Sequence, residues 1–506
     1  MRTLNSFKNL FSGAGGSILK LILQFISRTF FIYYLGKEYL GIYGLFSNIL
    51  QVFNITELGI GTAIIYSLYS PLAKKDKAEI TSRINYLRKA YFYVGLLVLV
   101  LGLAIFPFLP YLIKGETTIV NINLFYLLYL LQSLSSYWFF AYKSSILKAD
   151  QKYYLFNLYS YISYTFLVAV QIIVLITLQS FLIYTIFGVL YHLLLNIFTS
   201  KKVDKLYPYL KNNKKILPDE AERKKIKKNI IGLSIYKINS TITRSTDSIV
   251  ISAFIGLAMV GIYSNYLLIV NSVYTIARVI FTSFVASVGN VLVTDERKKN
   301  KELFSALTFL SYWVFAVFSI MLYSLISPFI ELWVGESYVF SEIITIVIIF
   351  NFLLDGFSII PMIYKDASGI FWLGKYRPLF TAILNIIFSL ILVKYMGVAG
   401  VLLATIISRL LTTWWYDPIL VNKNVFKQSS KKYFFDNILF TILTVLIAII
   451  VSLLKNQIFN GSITSFVLLI AVSMIVPNVI LIVLFFKRKE LKFIYKRFRL
   501  IFSKKI

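Results

Sequence analysis

The chain has 506 residues, 58% of them hydrophobic and 17% aromatic, and a formal net charge of +30. A soluble protein of this size cannot hide that much apolar surface, and apolar runs of about 18 residues or more, each the length of a membrane-crossing helix, recur along nearly the whole chain. The absence of cysteine excludes disulfides and thiolate metal sites.

Backbone groups in lipid must be satisfied within their own segment, so these runs are expected to be helices. A β-barrel would alternate over segments of about 10 residues. Stretches such as 96–106 and 467–486 do not alternate. The fold class expected is therefore all-α and polytopic, with about 14 transmembrane helices. In chain order they fall near 12–35, 40–70, 90–113, 121–142, 154–177, 180–200, 229–255, 257–293, 304–328, 338–364, 376–396, 398–422, 434–454 and 464–486. The first carries Lys20 and Arg28 and lacks a small-residue cleavage site, so it reads as a retained span.

A charge of +30 looks like a nucleic-acid signature until the charges are placed. With the N-terminus inside, 42 Lys/Arg fall on inner segments, against Lys37, Lys114, Lys394 and Lys455 on outer ones. That asymmetry is a positive-inside signal, which gives a cytoplasmic membrane location with both termini cytoplasmic and argues against nucleic acid as a partner. The inner basic excess also suits anionic lipid head groups. The longest polar stretch, 201–228, holds eleven Lys/Arg and reads as a cytoplasmic basic connector. Residues 487–506 place Leu491, Ile494, Tyr495, Phe498 and Ile501 at helical spacing among basic residues, a surface-lying amphipathic helix.

An internal echo follows. Residues 36–43 read GKEYLGIY and residues 256–263 read GLAMVGIY, both G-x4-G-I-Y. Each falls at the outer turn between two spans, the first pair and the seventh pair. Repeated halves are common transporter architecture, with the substrate held where they meet.

On these residues the chain resembles the polysaccharide-repeat flippases of the multidrug/oligosaccharidyl-lipid/polysaccharide exporter superfamily. The resemblance is clearest over 35–70, continues at 244–266 and is weak at 396–408. It implies an N-terminal six-helix lobe (1–200), the connector (201–228), a C-terminal six-helix lobe (229–422), two additional helices (423–486) and the tail (487–506). It further implies alternating access. The implied cargo is an oligosaccharide on polyprenyl pyrophosphate, moved from the inner to the outer leaflet for surface polysaccharide assembly. Membrane lipids and polysaccharide assembly proteins are the expected partners.

Six basic residues lie within spans: Lys20, Arg28, Lys237, Arg244, Arg278 and Arg409. Each costs about 2.5–3.5 kcal/mol at a helix centre, so together they are expected to face a wet cavity, pair with acids or snorkel. Lys20 and Arg28 flank Gln24 at helical spacing, and Lys237 and Arg244 are almost in line on span seven. Span seven also carries NSTITRSTDS at 239–248, tolerable at membrane depth only where it lines water or protein. These six are the substrate-binding candidates, since fixed cations suit a pyrophosphate. Of the intramembrane acids, Glu57, Asp247 and Asp355 are the candidates for coupling to a proton or sodium ion, and Asp417 beside Pro418 is read as structural.

His192 is the sole histidine, so no histidine-ligated metal cluster is expected, and neither cofactor nor catalytic residue is assigned. An enzyme such as a polysaccharide polymerase would need a larger extramembrane loop bearing acids or histidines. A cation-coupled drug antiporter on the same scaffold is the main alternative, but its cavity should be acidic or apolar, whereas cations predominate here.

Overall fold

The structure is a computed structural model that describes residues 2–53, 60–115, 119–211, 216–282, 284, 288–289, 297–374 and 376–503. Side chains at 2–7, 10, 11, 14, 225, 229, 231–244, 297–298, 371–372 and 497–503 are not described. Among the described residues every regular element is a helix. In chain order the α-helices are α1 (Arg2–Phe53), α2 (Ile60–Lys74), α3 (Lys77–Ile105), α4 (Ile122–Ser135), α5 (Ser144–Ala149), α6 (Tyr153–Leu178), α7 (Phe181–Leu206), α8 (Glu220–Phe254) and α9 (Leu257–Thr282). They continue as α10 (Arg297–Val334), α11 (Glu342–Phe357), α12 (Ile359–Ala367), α13 (Arg377–Leu411), α14 (Thr413–Asn424), α15 (Lys431–Ile458), α16 (Ile463–Phe485) and α17 (Lys489–Ser503).

Among the described residues ten helical segments are long and apolar enough to cross a membrane, against about 14 expected. Local chemistry accounts for part of the difference. α1 and α13 are each two rods, broken where Gly36 (φ 77°) and Gly397 (φ 55°) leave the helical region, a conformation that costs glycine nothing. α4 is apolar but short, ending where Phe139 and Phe140 also take positive φ. α8 is long enough to cross but too polar to score as a span. The chain is thus an all-α, multi-pass membrane protein.

The helix starts are written in the sequence. Asp76, Ser180, Asp219 and Ser462 each accept a backbone N–H three residues on, capping α3, α7, α8 and α16. Such caps satisfy donors that the first turn leaves free.

The chain divides into two compact units, 1–261 and 262–506. In the first, α1 packs along α6 and α8, and α7 packs on α4 and α6. Its core includes Phe46, Tyr126 and Leu175, all fully buried. The second is built on α10, which packs against α11, α15 and α16. Tyr312 lies 4.5 Å from Phe357 and 5.5 Å from Phe440 there, and the Tyr433 hydroxyl donates to the Phe357 carbonyl at 3.0 Å. Trp313 Nε1 donates to Asn478 Oδ1 at 2.9 Å, so the last two long helices are bonded into this unit.

The basic stretch after α7 is held to the first unit at both ends. Tyr207 is buried and its hydroxyl donates to Asp150 at 2.6 Å. Arg83 on α3 is bonded to Glu79 and to Glu222 of α8, and Asn85 Nδ2 donates to the Ile216 carbonyl at 3.3 Å.

Candidate functional site

The two G-x4-G-I-Y copies meet face to face inside the first unit. A Cβ on Gly41 would collide with the Leu257 carbonyl, and a Cβ on Gly261 would collide with the Lys37 carbonyl. Each contact joins the second glycine of one copy to the residue after the first glycine of the other. The crossing is therefore reciprocal, and bare backbone on both helices permits it, as in close-packed membrane helices generally.

Toward the other end of α1 lies a tyrosine-lined strip. Arg28 is half-buried, its guanidinium 5.4 Å from the centre of the Tyr43 ring. Tyr184, Tyr129 and Tyr164 are its further electrostatic neighbours. Phe31 packs edge-on against Tyr43 and Tyr184 at 6.3 and 5.1 Å, and Ser27 Oγ lies 3.4 Å from the Tyr184 hydroxyl. Two turns earlier Lys20 is exposed, its ammonium 5.3 Å from the Tyr164 ring centre. Tyr164 in turn meets Tyr191 at 6.0 Å, and Tyr191 meets His192. Lys20 has no carboxylate partner among the described residues. Ring faces attract a cation by about 0.5–2 kcal/mol without cancelling its charge. The strip therefore presents positive charge bordered by phenol hydroxyls, which can donate hydrogen bonds.

The other sequence candidates sit differently. Glu57 lies outside the described residues, as do the side chains of Lys237 and Arg244. The unbroken helix α8 keeps the last two seven residues apart on nearly one line. Asp247, further along α8, is buried at 4% exposure together with Ser245, Ser248 and Ser252. Ser252 Oγ donates to the Leu112 carbonyl at 2.6 Å. The described polar part of span seven thus faces protein. In the second unit Arg278 is exposed near the end of α9. Arg409 and Asp355 are brought together at 3.1 Å, with side chains 18% and 31% exposed. A candidate cation and a candidate coupling acid form one ion pair.

Sequence reasoning did not find the tyrosines. Thirty-six tyrosines spread through a chain give no pattern until helix packing selects Tyr43, Tyr164 and Tyr184. It also missed the acid-held bases: Lys143 is paired with Asp204 at 2.6 Å, and Lys365 and Arg377 share Asp417. Arg377 grips Asp417 with both terminal nitrogens. Among the described residues no group of three or more His, Asp or Glu could hold a metal ion.

Comparison with solved structures places this fold. The chain superposes on the lipid II flippase MurJ in an inward closed conformation with a TM-score of 0.63 at 17% identity, covering 96% of this chain and 99% of that one. It matches an inward-facing multidrug resistance MATE family transporter of the MOP superfamily at 0.61 and 13% identity, covering 77% of this chain and 91% of that one. A MATE transporter of Vibrio cholerae, VcmN, follows at 0.56 and 14%, covering 86% and 98%. The fold is the one seen in the MurJ and MATE structures. No family model and no curated protein matches the sequence.

Proposed function

We propose that the chain is a flippase. It carries a polyprenyl-pyrophosphate-linked oligosaccharide from the inner to the outer leaflet by alternating access, serving surface polysaccharide assembly. The observation that carries this reading is the strip on α1, where Lys20 and Arg28 stand among tyrosines at membrane depth. A passenger with about two negative charges cannot cross hydrocarbon unaided, since isolated buried charge costs tens of kcal/mol in the Born limit. The Lys20 ammonium, bordered by a ring face, keeps its charge toward phosphate oxygens, and a guanidinium such as that of Arg28 has the geometry to bind two of them at once. Phenol hydroxyls supply donors for sugar or phosphate. The MurJ structure, that of a lipid II flippase, supports a lipid-linked passenger by its fold.

Lys237, Arg244 and Arg278 remain candidates for the same patch. Arg409 is better explained as the counter-ion of Asp355, which also removes Asp355 from the foremost coupling candidates. Asp247, carried on the first unit and withdrawn from solvent, is the leading candidate to bind a coupling proton or sodium ion, and Glu57 is the second. Both termini are assigned to the cytoplasm by the loop charges.

The test is reconstitution in vesicles with a fluorescent polyprenyl-pyrophosphate oligosaccharide. Transfer is read by a membrane-impermeant lectin or quencher added outside. Protein-dependent transfer, lost in Arg28→Ala, is expected. No transfer of this passenger, with counter-transport of cationic drugs instead, would overturn the reading in favour of an antiporter.

A further inference from the structure

A second polar cavity, of about 400 Å³, lies wholly in the second unit. It sits between the start of α10, the end of α14, the start of α15 and the first turn of α17, where none of the transport argument reaches. Lys301, Thr308, Lys431 and Asp436 are among its walls. Thr308 is 6% exposed, and among the described residues its hydroxyl has no hydrogen-bond partner. A buried hydroxyl in that state is unfavourable unless something bonds to it. In the first turn of α15, Ser429 Oγ accepts from the Lys431 N–H at 3.2 Å, while the Ser430 hydroxyl is turned toward the Pro418 carbonyl at 3.5 Å and caps none of the N–H groups that follow. Uncapped N–H groups of a 28-residue helix attract an anion.

The charges agree. Two carboxylates line the cavity, and each is held by its own cation: Glu490 by Lys432 at 2.6 Å and Asp436 by Arg488 at 2.8 Å. Lys301 and Lys431 are exposed on the rim and have no carboxylate partner among the described residues. The site therefore carries a net positive field over a hydroxyl and a helix N-terminus, which together describe a cradle for phosphate. Its surroundings are apolar. Phe435 and Ile438 on α15 are 66% and 52% exposed, and Phe486 beside α17 is 56% exposed.

We propose that this cavity binds a phosphate-bearing anion, supplied by the headgroup of an anionic phospholipid whose acyl chains lie along the exposed residues of α15 and α16. Lys301 and Lys431 attract the phosphate from the rim. The α15 N-terminus and the Thr308 hydroxyl receive its oxygens. Basic pockets between membrane helices recognise lipid headgroups in this way, mostly on the cytoplasmic side. Placement in the inner leaflet rests on the loop-charge orientation proposed above. The binding itself does not.

The test uses the full chain in detergent, without cargo, and native mass spectrometry to titrate phosphatidylglycerol and phosphatidylcholine. Phosphatidylglycerol should bind at least 10-fold more tightly. The double variant Lys301→Ala/Lys431→Ala should lose about 30-fold, as two near-surface cations would contribute. Thr308→Val should lose several-fold, and Arg28→Ala should change nothing. Equal binding of both lipids, or an unaffected double variant, overturns the proposal. Displacement of the lipid by millimolar inorganic phosphate or glycerol phosphate would identify a soluble anion as the ligand and overturn the lipid source. Loss of binding in Arg28→Ala would place the lipid in the cargo strip instead, so the two readings fail separately.

Discussion

Two sets of cations show what surroundings do to a charge. On α1, Lys20 and Arg28 stand against the rings of Tyr164 and Tyr43. In the second unit, Arg409 is paired with Asp355, and Lys365 and Arg377 with Asp417. A carboxylate cancels its partner's charge, so an arriving anion would have to displace it. A ring face, such as that of Tyr164 beside Lys20, stabilises a cation without neutralising it. Packing thus sets the ion-paired braces of the second unit apart from a cation held against a ring.

The largest effect expected from this contrast is on transport. Arg28→Ala should lower the flipping rate at least 10-fold in the vesicle assay while inserting at normal levels. Arg28→Lys should recover part of it, since a point charge lacks the bidentate fork. Lys427→Ala, on an exposed loop, should do nothing. A parental rate in Arg28→Ala would remove the contrast.

The pair in the second unit should behave in the opposite sense. Removing one partner leaves a charge stranded, which costs about 3–5 kcal/mol for a fully buried pair and less for one this exposed. Arg409→Gln or Asp355→Asn alone should therefore lower thermal stability by several degrees, and the double variant should recover most of it. If the double variant is stable but has lost transport, Arg409 binds cargo after all.

Much of the fold was legible beforehand, because span length and loop charge are local properties. The turns within 36–43 and 256–263 could be placed from a repeated eight-residue pattern, and the basic helix after 486, observed as α17, from apolar residues at helical spacing. What could not be read is pairing. Arg409 and Asp355 are 54 residues apart, and Lys143 and Asp204 are 61 apart. Which acid meets which base depends on helix rotation, which hydropathy does not encode. The polar run in span seven is tolerable only against water or protein, and Ser245, Asp247 and Ser248 are packed on protein.

A smaller effect is expected at the reciprocal crossing. Gly41→Ala or Gly261→Ala puts a methyl group into a backbone carbonyl, an overpacking cost of about 1–3 kcal/mol. The yield of folded protein in size-exclusion chromatography should fall for either. Unchanged yield and melting temperature in both would mean that the helices part at this point without cost.

The smallest effect concerns pH. At Glu490 burial alone would raise the carboxyl pKa, but the Lys432 bond outweighs it and holds the group below its ordinary value of 4.5. A carboxylate depressed on folding stabilises above its unfolded pKa, and that stability is lost as pH falls through the lower folded value. α17 should therefore stay docked at neutral pH and loosen in an acid window starting near 4.5 and extending below it. Proteolysis of the tail should speed up there, and Glu490→Gln should flatten the response.

The reciprocal glycine crossing also sets an order of manufacture. Neither half of it exists until the ribosome has made both copies, and 216 residues separate Gly41 from Leu257. At about 5–20 residues per second, α1 waits roughly 10–40 s in the bilayer before its partner emerges. During that interval Lys20 and Arg28 sit in a helix that has not yet met α8 or α9. The nascent chain therefore needs shelter from the insertion machinery for its first span, and variants that delay α9 should be cleared by membrane proteases before they ever misfunction.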